Sequence, residues 1–148
     1  ETGDWANAGP SIMTSVWDPK GINSVPIEMA DIVTNKKHPL IVVTSVESSK
    51  KSKSRAANKK HLYEYGDVVI DNHVPLGDAV IETKYGNTGA VSSIACSFIA
   101  QLLVVEIVDL FIENGMEPPI YRSANTDGGD EHNKKLMEKY QDRIKCLY

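Results

Sequence analysis

Two cysteines in 148 residues are too few for a disulfide framework, and Cys96 and Cys146 lie too far apart for a zinc-ligand pattern. Both read as ordinary reduced thiols, which points to a cytoplasmic protein. No N-terminal stretch has the basic-then-apolar layout of a signal peptide, and the chain carries no internal repeat or low-complexity segment. Positive charge is also short. Sixteen Lys and Arg stand against 20 Asp and Glu, and a net charge of −4 with a pI near 5.5 argues against a nucleic-acid or anionic-membrane partner. Between Tyr85 and Val105 charge is missing altogether, but Gly86, Asn87, Thr88, Gly89, Ser92, Ser93, Ser97 and Gln101 interrupt that stretch. Its continuous apolar part is too short to cross a bilayer.

What is present describes one domain. A hydrophobic content of 41% and a charged content of 24% are ordinary for a soluble globular chain of this length. Residues 1–11 read as a tail, of which Glu1-Thr2-Gly3 suggests a vector-derived start, and residues 12–148 carry the fold. Ile12 to Trp17 reads as a strand, Asp18 to Ser24 as a loop, and Val25 to Asn35 as a helix with Ser24 as its N-cap. Leu40 to Val46, apolar on both faces, reads as a central buried strand, which completes a βαβ unit. A basic run from Glu47 to Arg55 follows, as a solvated loop or as a source of contacts to an anion at the strand end, and then a short helix from Ala56 to Tyr65. Val68 to Ile70 fits a buried parallel strand. Ala79 to Ile81 is a further apolar run beyond the turn at Pro75 and Gly77. Ala90 to Asn114 reads as a long, largely buried helix capped by Gly115, with Glu106, Asp109 and Glu113 on one polar stripe. So apolar a helix needs cover on more than one side, and a partner subunit is the natural cover for one of them. Lys134 to Lys145 forms a last amphipathic helix, with Leu136, Met137, Tyr140 and Ile144 inward.

Polar residues gather where strands end, which is where open α/β sheets bind ligands. Asp71, Asn72 and His73 close one strand, with Asp78 just beyond, and Ser45 closes another. Asp71 and Asn72 serve equally well to brace the turn. The loop 18–24 opens a helix, where backbone N–H groups and the dipole favour an anion. Thr88, Ser92 and Ser93 offer hydroxyls near the start of the long helix, for a ligand or for capping. Arg122, Ser123, Asn125, Glu131 and His132 crowd a glycine-bearing loop. Arg122 suits bidentate capture of an anion, and Glu131 with His132 suits proton transfer. Asp130 and Glu131 suit the start of a helix as well. His73, Asp78, Asp127 and Asp130 match no standard metal spacing, and no cofactor motif is present.

The run Asp71-Asn72-His73-Val74-Pro75-Leu76-Gly77-Asp78-Ala79-Val80 closely resembles a motif of the bacterial SIS-domain (sugar isomerase domain) phosphosugar-binding proteins. The resemblance continues through Val25 to Ala30, Glu117-Pro118-Pro119, Arg122 to Asn125 and Asp127 to Asn133, from Gly21 to near the C-terminus. It implies an α/β fold of three α-β-α layers with a short, mainly parallel sheet, related to flavodoxin and Rossmann folds, in which the N-terminal strands of the family are lacking. It also implies a homodimer that binds a small-molecule sugar phosphate, and the charge balance above adds the expectation of no nucleic-acid or membrane partner. Lys20, Gly21, Asn23, Ser45, Asp71, Asn72, Asp78, Thr88, Ser92, Ser93, Arg122, Ser123 and Asn125 are then binding residues. Glu131, as the base of an aldose-ketose isomerisation, with His132 and His73, would carry the chemistry. In the family's phosphate loop, Ser-x-Ser-Gly, the serine positions here hold Asp18 and Lys20, and a carboxylate there repels phosphate. The competing expectation is a non-catalytic remnant of the fold that acts as a dimerisation or interaction module.

Overall fold

The computed structural model describes residues 14–142; the expected strand residues Ile12 and Met13, and Ile144 and Lys145 of the expected last helix, lie outside them. The described residues divide into two compact units, 14–102 and 103–142, with the division inside one long helix. The fold is α/β.

In the first unit β1 (Thr14–Trp17), β2 (Leu40–Thr44) and β3 (Val68–Asp71) form a parallel sheet in the order β1-β2-β3. Val16 stands opposite Val42, and Val42 opposite Val69. β2 is central, as its unbroken apolar run requires, and Leu40, Val42, Val43 and Thr44 are buried. α1 (Ser24–Asn35) joins β1 to β2 and lays Ile27 and Ala30 on the sheet, where they meet Val16, Leu40 and Val42. Ala56, Leu62 and Tyr65 complete that core, with Val33 at its margin. Asn23, rather than Ser24, takes the N-cap position of α1, and Ser24 is its first helical residue.

Several expectations are corrected here. β3 is an edge strand and not a buried one, with Val68 46% and Val69 38% exposed. The basic run begins as a short helix, α2 (Val46–Lys50), whose N-terminal donor at Ser48 is met by Ser45 Oγ. Residues 56–65 form turns and a single 3-10 turn at Leu62–Glu64 instead of a helix. Asn58 Oδ1 accepts from Lys60 N, Lys59 adopts a positive φ of 61°, and Leu62 N is drawn to Gly21 O. Those bonds compete with a helical ladder and win. Residues 86–90, expected to lead into the long helix, are instead a strand. β4 (Ala79–Thr83) and β5 (Gly86–Ala90) pair as an antiparallel hairpin, with Ile81 opposite Thr88.

The long helix, α3 (Ser92–Glu113), passes from the first unit into the second. Gly115, at φ +67°, ends it as expected: Gly115 N bonds Ile112 O and Met116 N bonds Phe111 O. The expectation that α3 is largely buried fails within this chain, because none of its residues is buried. At 22 residues it is long and apolar enough to cross a membrane by length and composition, which corrects the expectation that the apolar stretch is too short. In the second unit α4 (Gly129–Tyr140) starts five residues earlier than expected, from Gly128 at φ +73°.

Candidate functional site

The first unit carries an open hollow of about 420 Å³ beside the carboxyl end of β1. Asp18, Lys20 and Asn23 of the β1–α1 loop form one side of it. Ser52 and Arg55 of the basic segment, Leu76, Gly77 and Asp78 of the 75–78 turn, and Ser92 at the head of α3 supply the rest.

The β1–α1 loop is drawn around Asp18. Asp18 N donates to Val43 O at 3.1 Å, and Asp18 O accepts from Gly21 N at 3.0 Å. Its carboxylate accepts from Ile22 N and Asn23 N at 3.0 Å each, from Asn23 Nδ2 at 2.8 Å and from Lys20 N at 3.3 Å. Gly21 lies beneath, at φ +63°, against Thr44 and Ser49; Ser49 Oγ donates to its carbonyl. The amides of Lys20, Gly21, Ile22 and Asn23 are thus all bonded to Asp18, ahead of the first turn of α1.

Asp78 plays the same part for α3. Its Oδ1 accepts from Val91 N at 3.0 Å and Ser92 N at 2.7 Å, while Oδ2 accepts from Ser92 Oγ at 2.7 Å. The Ser92 hydroxyl, more than any other neighbour, holds this carboxyl below its ordinary range. A group with a depressed folded pKa stabilises above its unfolded pKa, near 3.9, and loses that contribution as pH falls through the lower folded value. The turn–helix tie should therefore hold at neutral pH and fail only in acid. Asp78→Ala should cost about 1 kcal/mol, the usual worth of a helix cap, in urea unfolding at pH 7. An equal cost at pH 2 would show that the carboxylate is not the capping species.

The other expected residues divide into groups. Ser45 is buried as the α2 cap, and its N–H donates to Pro19 O. Asp71 Oδ1 accepts from Val46 N and His73 N, and Asn72 Oδ1 accepts from Val74 N, so both brace the strand end. His73 sits at φ +53°, its side chain 85% exposed and its Nδ1 3.6 Å from Asp71 Oδ2. None of these four lines the hollow. Thr88 and Ser93 are exposed outside it. Cys96 is a free thiol pushed up by burial, with Asn72 Nδ2 at 3.9 Å.

Arg122, Ser123, Asn125, Glu131 and His132 belong to the second unit, where the 120–133 segment closes on itself. Asn133 brackets Arg122 by two 2.8 Å bonds to its backbone, and Ser123 O accepts from Thr126 N and Oγ1. Ser123 Oγ accepts from Asn125 N. His132 Nε2 lies 2.9 Å from Ile120 O, a contact that requires the Nε2–H tautomer, while Glu131 is exposed in the first turn of α4. Among the described residues no three His, Cys, Asp or Glu side chains cluster for a metal. Ser52 and Arg55 were missed individually. The only signal for them was a basic run placed directly after a strand.

The chain is 44% identical over 123 residues to a UPF0309 protein of Halalkalibacterium halodurans, an alignment covering 81% of this chain and 50% of that protein. A UPF0309 protein of Listeria monocytogenes is 40% identical over 126 residues, 84% of this chain and 54% of its own length. One of Geobacillus kaustophilus is 39% identical over 140 residues, 93% and 56% respectively. The chain spans about half the length of the curated relatives it matches. No family model matches it.

Proposed function

We propose that the chain carries part of a three-layer, SIS-like domain, and that the hollow of its first unit binds a phosphorylated sugar or related carbohydrate derivative. The observation that carries this reading is the set of groups around the hollow, at the carboxyl end of a parallel strand. The hydroxyl protons of Ser52 and Ser92 go to Ser48 O and Asp78 Oδ2, so their oxygens would accept from sugar hydroxyls, and the second N–H of Asn23 Nδ2 would donate to one. Lys20 and Arg55 supply cations for an anionic substituent, and Leu76 an apolar wall for a ring face. Isomerase chemistry would fall to Glu131 and His132, so binding is the function proposed for the hollow itself. A cytoplasmic location accords with the free thiol of Cys96.

A thermal-shift panel of hexoses, amino sugars and their phosphates at millimolar concentration tests the reading. A ligand in hundredfold excess over its Kd should stabilise the fold by about 2.7 kcal/mol. Arg55→Ala together with Asn23→Ala should abolish the shift. No shift with any sugar, phosphorylated or not, leaves the reading without support.

A second reading, assembly through α3, has an observation of its own: the helix buries none of its apolar side chains in this chain. Glu106 and Asp109 lie in the C-terminal half of α3, where a carboxylate makes lipid a poorer cover than a protein surface that can pair with it. We assign the cover to a second copy of the chain, as a homodimer.

A further inference from the structure

Among the described residues Asp18 is the only charged residue that is buried, at 3% exposure, and it lies against the hollow. Its four donors use both carboxylate oxygens, and three of them are backbone amides of one loop turned toward one point. Such a concave set of amides is where an incoming anion would bind. We infer that Asp18 is a resident anion that sets selectivity, so that the hollow takes an unphosphorylated carbohydrate in preference to its phosphate ester. The inference rests on the carbohydrate-binding reading of the same hollow and chooses between its two ligand classes.

Two effects act against a phosphate. The amides that would receive its oxygens are already bonded to Asp18, whose displacement would strand a carboxylate in a buried place. A phosphate that stays outside still faces a fixed like charge, and a buried charge is screened by salt far less than an exposed one. Lys20 and Arg55 pull the other way. Arg55 is exposed, with Nη1 3.4 Å from Asn23 Oδ1, and exposed pairs contribute little after screening, which leaves the half-buried Lys20 as the main opposing charge. A neutral sugar suffers neither penalty, and its hydroxyls can donate to the oxygens of Ser52 and Ser92.

Calorimetric titration with N-acetylglucosamine and N-acetylglucosamine 6-phosphate tests the inference. The unaltered chain should bind the neutral sugar more tightly. Replacing Asp18 and Lys20 together by Ser should move the preference toward the phosphate by at least about tenfold, the worth of one hydrogen bond to a charged group. Asp18→Asn, which keeps the size and loses the charge, should move it the same way by less. If the variants do not fold, the salt dependence of the unaltered chain decides: affinity for the phosphate should rise with ionic strength. Tighter binding of the phosphate by the unaltered chain, or an affinity that falls with salt, overturns the inference alone. Binding of neither sugar overturns the carbohydrate reading as well.

Discussion

Phe98→Asp is expected to turn a dimer into a monomer that keeps its fold. Phe98 is 63% exposed in the chain, and Ile94, Leu102, Val105 and Ile107 are comparably exposed along the same helix. A side chain that open contributes little to the stability of a monomer, so a charge there costs the isolated chain almost nothing. In an assembly that covers α3 the same change is severe. Burying one Phe is worth about 1.5–3 kcal/mol, and a two-fold axis applies the loss twice. Dissociation should then strengthen by roughly two to four orders of magnitude, before the cost of the buried carboxylates is added. Sedimentation velocity at micromolar concentration should show a dimer for the unaltered chain and a monomer of unchanged melting behaviour for the variant. A monomer in both cases removes the assembly. Unfolding of the variant would place Phe98 in an intramolecular contact instead.

The parts of the fold that were legible in the sequence are those whose partners lie nearby in the chain. β2 is apolar on both faces because it is central, and α1 pairs a recognisable start with a stop before Pro39. β3 is more exposed than its sequence implies because Val68-Val69-Ile70 is the same β-branched run whether a strand is central or at an edge. What differs is the neighbour, and a neighbour is not written in the strand. β5 is illegible in the sequence for the opposite reason. Gly86-Asn87-Thr88-Gly89-Ala90 has no strand propensity of its own and becomes a strand by pairing with β4. The helix expected at 56–65 was undone by the Asn58 side chain and by a bond from Leu62 to Gly21, 41 residues away.

The site was legible as a set of loops but not as a set of contacts. Of the expected binding residues in the first unit, Lys20, Asn23, Asp78 and Ser92 line the hollow, and Gly21, Ser45, Asp71, Asn72, Thr88 and Ser93 do not. Asp18 reads in the sequence as a charge that repels phosphate. The loop geometry adds what composition cannot, that this charge consumes the amides as well. Asp71 and Asn72 went to the structural side of an open choice: their side chains close the turn after β3.

Gly21→Ala should destabilise the first unit by about 2–5 kcal/mol, from two sources that can be separated. At φ +63° a side chain brings left-handed strain of roughly 1–2 kcal/mol. An added Cβ would also overlap Thr44 Oγ1 and stand 2.9 Å from Ser49 Oγ, both on fully buried side chains. Overpacking of that kind costs about 1–3 kcal/mol. Gly77→Ala isolates the first source: its φ is +92°, and an added Cβ there meets nothing within 4 Å. Thr44→Ala isolates the second. It removes a hydroxyl that is buried without a hydrogen-bond partner, together with the obstruction, so the double variant Gly21→Ala, Thr44→Ala should lose less than the sum of the singles. Urea titrations should show a lower midpoint for Gly21→Ala at unchanged slope, a smaller loss for Gly77→Ala, and a favourable coupling in the double variant. Equal losses for Gly21→Ala and Gly77→Ala, with no coupling to Thr44, would show that the loop relaxes away from β2 and that Asp18 is not held as tightly as its hydrogen bonds imply.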